Sequence, residues 1–461
     1  MAQGHSIPLI DMAKLFASRG QKVSIITTPV NAPDISKSIQ RSRVLGHKID
    51  IVIIKFPCVE AGLPEGCEHL ELVTSPEMVS VFFQATTILA QPLEHLLKKY
   101  CPDCLVSDTF FPWSNKVASK FGIPRIVFSG TCFFSSCASQ CMYLYQPCKN
   151  VSSDTDVFVI PNLPREIKLT RNQLPEFVKE ETSFSDYYRK VKEAEAKSYG
   201  VLVNSFYELE PTYADHYRNV LGIKAWHIGP ISLCNSNNQD MLNRGKEASI
   251  DENECLEWLN SKKPNSVVYI CFGSLANFVS SQLLEIAMGL EDSGQQFIWV
   301  VKKSKSNEED WLPDGFEERM KEKGLIIRGW APQVMILEHK AVGGFVTHCG
   351  WNSTLEAVSA GVPMVTWPVS AEQFYNEKLI TEVLRIGVAV GAQKWLKLEG
   401  DGVKKEAINK AVTQVMVGGK EAEEMRCRAE KLGEMAKKAV AEGGSSHSDF
   451  NTLIEGLRSK N

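Results

Sequence analysis

The stretch from Trp330 to Gln373, "WAPQVMILEHKAVGGFVTHCGWNSTLEAVSAGVPMVTWPVSAEQ", concentrates residue types that could hold a nucleotide. Within it, "GGFVTHCGWNST" reads as a strand ending at His348, a tight Cys-Gly turn, and a helix opening over 351–354. Free backbone N–H groups and the positive end of the helix dipole make such a place an anion site suited to a pyrophosphate. His348 and the Ser353 hydroxyl add donors, and Gly350 lets the backbone approach a phosphate closely. Trp330 offers a flat ring on which a base could stack, and Glu356, one turn into the helix, can accept hydrogen bonds from ribose hydroxyls. Together these residues describe a nucleoside-diphosphate pocket.

Elements on either side must position that pocket. Leu9, Met12, Ala13 and Phe16 recur at helical spacing before Gly20, which predicts a helix over 6–19 with the ionisable His5 at its N-terminus. Apolar runs at 22–28, 49–56, 103–107, 124–129 and 200–206 alternate with helical stretches such as 76–99 and 183–197. A second alternation follows, with strands "SVVYICF", "QFIWVV", "GLIIRG", "GGFVTH", "VPMVTW" and "GVAVG" and helices near 280–291, 332–338, 352–360, 372–385 and 403–417. Apolar runs of this kind between helices predict parallel sheets covered on both faces. Between the two halves the composition turns polar, "CNSNNQDMLNRGKEASIDENE". The expected organisation is an N-terminal domain (1–235), a linker (236–254), a C-terminal domain that carries the nucleoside-diphosphate pocket (255–440) and a last helix (441–461) that crosses back onto the first domain. Two such domains in tandem put a cleft between the carboxyl ends of their strands.

Bulk properties narrow the function. The 461 residues carry a formal net charge of −4, with 44% hydrophobic and 23% charged residues and no long block of one sign, so neither nucleic acid nor an anionic membrane surface is an expected partner. No apolar run reaches the ~18–20 residues of a membrane span, and no signal peptide is legible, so a cytoplasmic protein acting as a monomer is expected. Thirteen cysteines fit reduced thiols better than a disulfide framework, and "CPDC" (Cys101, Cys104) has no second CxxC to complete a metal set. Asp154 and Asp156 have the spacing of a metal-binding DxD but lie in a polar loop, where a solvated turn is the simpler reading. The sequons at Asn150 and Asn352 are expected to stay unmodified without a signal peptide.

The order and spacing of residues 330–373 resemble the signature box of plant family-1 UDP-dependent glycosyltransferases. "AQGHSIP", "SDTFFPW", "VNSFYELE", "YICFGS" and "AEQFYNEK" extend the resemblance over nearly the whole chain, nearest the subgroup that glycosylates flavonoids, coumarins and triterpenoids. The resemblance implies a GT-B fold, that is, an α/β architecture of two doubly wound Rossmann-like domains facing across a cleft. It also implies inverting transfer without a metal or other cofactor, the UDP-sugar being a co-substrate, to a hydroxyl of a small apolar acceptor. By the same resemblance His5 is the general base and Asp108 the carboxylate that fixes its tautomer. Trp330, Ala331 and Gln333 fall at the uridine, and His348, Asn352, Ser353 and Ser274 at the diphosphate. Glu356 falls at the ribose and Glu372 with Gln373 at the sugar, Trp351 and Gln373 leaning the donor towards UDP-glucose. Phe82, Phe83, Phe110, Phe111, Trp113, Phe133 and Phe134 are expected either to line an apolar acceptor cavity near His5 or to fill the core. Relative to the family pattern the chain begins after the usual first strand, so a shortened form with weakened folding and activity is expected. A non-catalytic UDP-sugar-binding protein is the alternative this raises. A nucleotide-sugar epimerase or dehydrogenase would need GxGxxG after the first strand, which is missing.

Overall fold

The computed structural model describes residues 2–73, 75–235, 238–302, 312–396 and 402–459. In the N-terminal half β1 (Val23–Thr27) and β2 (Ile49–Ile53) pair in parallel. A separate parallel sheet contains β3 (Leu105–Asp108) and β4 (Arg125–Ser129). After a short antiparallel hairpin of β5 (Val157–Val159) and β6 (Lys168–Thr170), the chain returns to it with β7 (Gly200–Val203) and β8 (Ala225–His227), in the order β3-β4-β7-β8. No ladder joins β1 to β3 among the described residues. They are nonetheless neighbours, since Val23 and Val106 belong to one apolar cluster and Ile26 and Leu105 to another.

The C-terminal half is one six-stranded parallel sheet. Its strands are β9 (Val267–Cys271), β10 (Gln296–Val301), β11 (Gly324–Arg328), β12 (Val342–Thr347), β13 (Met364–Thr366) and β14 (Gly387–Ala389). The order β11-β10-β9-β12-β13-β14 reverses direction between β9 and β12. In doubly wound sheets ligands bind beyond the strand ends at such a switch point. β9 and β12 are buried almost throughout, which is why their sequences are continuous apolar runs rather than alternating ones.

The first helix runs Gln3–Ser18, so His5 lies inside its first turn and not before the predicted start. Pro8 has no N–H to give the Gly4 carbonyl one turn back. The Asn352 side chain supplies that donor, Nδ2 to Gly4 O at 2.7 Å, which ties the helix start to the other half of the chain. The last helix, Ser445–Arg458, buries Phe450, Leu453, Ile454 and Leu457 with Phe16, Phe128, Leu202 and Trp226 of the N-terminal half. Asp449 anchors it there by accepting from Arg218 (2.6 Å) and from the His227 backbone (2.9 Å). Asp154 and Asp156 sit in an exposed turn, Asp156 accepting the backbone N–H groups of Ser152 and Ser153 and Asp154 pairing with Arg171. All thirteen cysteines are free thiols. Among the described residues no helix is long and apolar enough to cross a membrane, and no three His, Cys, Asp or Glu side chains converge as a metal set.

Candidate active site

His5 and Asp108 are 103 residues apart in sequence and in hydrogen-bond contact in space. β3 ends at Asp108, whose carboxylate is buried; its Oδ2 lies 2.6 Å from His5 Nδ1 and its Oδ1 accepts the Phe110 N–H at 2.8 Å. Below it the buried Arg125 guanidinium donates to the Asp108 carbonyl at 3.1 Å and to the Ser107 and Ser114 hydroxyls, which fixes the strand end. Burial by itself would lower the His5 pKa, but the charge and hydrogen bond of Asp108, helped by Glu372, outweigh it and hold the imidazole above its ordinary value. For Asp108 burial pushes upward and is overcome by His5 and the Phe110 N–H, so the carboxyl is held below the usual range. A carboxylate on Nδ1 leaves Nε2 as the atom able to take a proton. The His5 side chain is 24% exposed, and the edge of the Phe110 ring stands beside it, centroids 5.7 Å apart. Gly130 gives the ring its space: a Cβ there would lie 3.1 Å from His5 Cε1.

The second group of residues gathers at the switch point. His348 follows β12, and its ring is held between two glycines, for a Cβ on Gly273 would come within 2.6 Å of it and one on Gly350 within 2.4 Å. Gly273 has φ +72°, a conformation side chains rarely adopt, and leads into the half-buried Ser274 after β9. The residue in a left-handed conformation in the Cys-Gly turn is Cys349 (φ 64°), so the strain of the tight reversal is carried by the cysteine. Burial lowers the His348 pKa to about 4, and its Nδ1 is buried without a partner among the described residues. At neutral pH it is therefore an uncharged imidazole, able to hydrogen bond to an anion while the helix terminus supplies the positive field.

Gly350 caps the helix Trp351–Ala360, which carries the next residues. Ser353 accepts from Gln333 Nε2 (3.0 Å), and the same amide reaches Glu356 Oε2 (2.7 Å). Trp330 and Ala331 lead into the short Gln333–Glu338 helix just ahead of Gln333. Glu372 and Gln373 open the helix Gln373–Lys378; burial raises the Glu372 pKa, and the Gln373 side-chain Oε1 accepts the Val369 and Ser370 N–H groups, both at 2.8 Å. Trp351 is buried with its indole N–H on the Asn204 carbonyl at 2.6 Å, so this ring faces the domain junction. Asn352, as above, is engaged with Gly4.

Of the aromatic residues expected near the acceptor, Phe133 and Phe134 are fully buried in the core and Phe82 nearly so. Phe110, Phe111 and Trp113 are half-buried, and Phe83 and Tyr187 pack around Phe110. Sequence reasoning missed Gly130, Gly273 and Arg125, which shape the two ends of the cleft from behind. It also missed Arg244, which lies in the polar stretch read as a linker and forms ion pairs with Asp11 and Glu356. No local pattern distinguishes that arginine; only the folded chain brings its two partners together.

Comparison with known proteins shows the family. The family described as UDP-glucoronosyl and UDP-glucosyl transferase matches residues 226–419. Scopoletin glucosyltransferase of Nicotiana tabacum is 59% identical, over 99% of this chain and 96% of its own. UDP-glucose flavonoid 3-O-glucosyltransferase 7 of Fragaria ananassa is 58% identical, over 98% of this chain and 94% of its own. Among solved structures, Glycyrrhiza uralensis UGT73P12 complexed with glycyrrhetinic acid 3-O-monoglucuronide superposes with a TM-score of 0.92 at 42% identity, covering 100% of this chain and 94% of that one. The fold is GT-B, and the chain belongs to the UDP-glycosyltransferase family as an enzyme that transfers a sugar from a UDP-sugar.

Proposed function

We propose that the enzyme transfers glucose from UDP-glucose, with inversion, to a hydroxyl of a small apolar acceptor of the flavonoid, coumarin or triterpenoid kind. The observation that carries this reading is the His5 imidazole, held through Nδ1 by the buried Asp108 with Nε2 left for the acceptor. The acceptor O–H gives its proton to Nε2 as its oxygen attacks the anomeric carbon, and the bond from that carbon to the β-phosphate oxygen breaks, its electron pair leaving with UDP. One displacement from the opposite face inverts the configuration. Asp108 keeps the proton on Nδ1 and balances the imidazolium that forms.

The donor lies with its base on Trp330, beside Ala331 and Gln333, and its ribose on Glu356. The diphosphate lies over Gly350 at the helix terminus, with His348, Asn352, Ser353 and Ser274 around it, where backbone N–H groups stabilise the departing charge. Glu372 and Gln373 take the sugar hydroxyls, and Trp351 backs the sugar end. Names of the relatives support the acceptor class, for they act on scopoletin and a flavonoid, and the solved neighbour holds a triterpenoid glucuronide. We further infer metal-independent action as a cytoplasmic monomer; the helix start at Gly350 offers a positive field for the diphosphate, and the free thiols fit a reducing compartment. Donor binding without turnover has no observation in its favour, since base and carboxylate are assembled.

Incubation with UDP-glucose and a panel of coumarins, flavonols and sapogenins should give hexose-shifted products, unchanged by EDTA. A panel with no product from any UDP-sugar would defeat the proposal, and inhibition by EDTA reversed by Mn²⁺ would defeat its metal-independent part.

A further inference from the structure

The stretch between the two halves does more than connect them. Its Arg244 side chain is nine-tenths buried between Asp11 of the first helix (Nε to Oδ2, 2.7 Å) and Glu356 of the Trp351–Ala360 helix, which it reaches through Nη1. With Arg244 on Oε1 and Gln333 on Oε2, both Glu356 oxygens are engaged, and its side chain is only 4% exposed. The next residue, Gly245 (φ +89°), lies against the Trp330 ring so closely that a Cβ on it would come within 2.4 Å of Cζ2. Ser249 then pairs with the Trp330 backbone in both directions, its N–H to the carbonyl (2.8 Å) and the Trp330 N–H to its Oγ (3.0 Å). Asn243 O accepts from Ser38, and Lys246 pairs with Glu71, so the segment is fixed on its outer side as well.

We propose that residues 243–249 form a strap across the nucleoside end of the donor site, latched by Arg244 on Glu356, and that the latch must open before a UDP-sugar seats its ribose. The inference rests on the assignment of Trp330 and Glu356 to the nucleoside. Ribose hydroxyls are donors and must reach the Glu356 carboxylate; its oxygens keep further lone pairs, but under the guanidinium the side chain is only 4% exposed, so the approach is closed until the arginine moves. Asp11 gives the guanidinium a place to remain when it leaves Glu356, and Asp11 itself is backed by Asn235 and Lys14. When only the open fraction accepts ligand, apparent affinity falls by that fraction, so loosening the latch tightens donor binding.

The tests use the full chain and UDP itself. Arg244→Met removes the latch, and Gly245→Ala forces the strap off the Trp330 ring without touching a charge. Calorimetry is expected to show UDP binding tightened by about tenfold, equivalent to about 1.4 kcal/mol, in Arg244→Met. Gly245→Ala should shift in the same direction, and the KM for UDP-glucose should fall in both with kcat less affected. In the unsubstituted protein, amide exchange within 243–249 should speed up when UDP is added while segments of 330–373 become protected. Unchanged or weaker UDP binding in both folded variants, or protection of 243–249 by UDP, would overturn the strap. UDP binding that leaves 330–373 unprotected would instead remove the donor-site assignment, and the strap with it.

Discussion

His5 and His348 are two half-buried imidazoles with opposite electrostatics. His5 has a carboxylate on Nδ1 and is held above the ordinary histidine value, whereas His348 has no charged partner among the described residues and is lowered by burial to about 4. A base must be neutral to act, so kcat/KM should rise with pH through the His5 pKa, above the usual ~6.5. Asp108→Asn removes the charge that favours imidazolium, so the acid limb should move to lower pH even as the maximal rate falls. A limb that stays in place would separate it from the His5–Asp108 pair. His5→Ala should lower transfer by about 10²–10⁴-fold with UDP affinity little changed, since the ring is proposed to act on the acceptor proton and not on the nucleotide. Equal loss of UDP affinity by calorimetry would show the pair misassigned. On the other side of the cleft, Gly273→Ala places a Cβ into the His348 ring at a positive φ. UDP binding should weaken while the sheet still folds; unchanged UDP affinity would mean that the ring takes no part in donor binding.

Elements were the most legible scale, and the reasons are physical. The four inner strands of the C-terminal sheet, β9, β10, β12 and β13, are buried apolar runs bounded by turns, so each is visible as a run, and the residues proposed for the donor are legible because they are consecutive in the chain. His5 and Asp108 were paired only by resemblance, because nothing local in either segment reports the other. The helix start was misplaced by three residues because position 2 has no capping side chain to mark it and Pro8 reads as an early boundary. The break between β1 and β3 leaves two strand edges side by side without a ladder, and their backbone groups are the natural partners of a strand placed between them.

At the scale of the whole molecule the two sheets are not independent. A single apolar cluster contains Phe134, Val203 and Tyr213 of the N-terminal half together with Trp351, Leu355 and Phe374 of the C-terminal half. Polar ties cross the same junction: Trp351 to the Asn204 carbonyl, Asn352 to Gly4, and Ser135 Oγ to Asn376 Oδ1 at 2.7 Å. The last helix adds a third tie, since it follows the C-terminal sheet in sequence and buries Leu453 under the N-terminal one. Separating the halves would uncover this apolar surface and strand buried donors and acceptors, so thermal unfolding should be one cooperative transition although the chain contains two doubly wound sheets. Leu453→Ala tests the coupling from the far end. Removing a fully buried leucine costs about 2–5 kcal/mol, and in a coupled molecule the loss should lower the melting of the distant C-terminal sheet as well as its own neighbourhood. UDP should act in the opposite direction. At about one hundred times its Kd it adds about 2.7 kcal/mol to the state that binds it, and exchange of β3 and β4 amides should slow along with that of β9 and β12. Two resolved melting transitions, or a UDP effect confined to the C-terminal sheet, would show that the halves unfold separately.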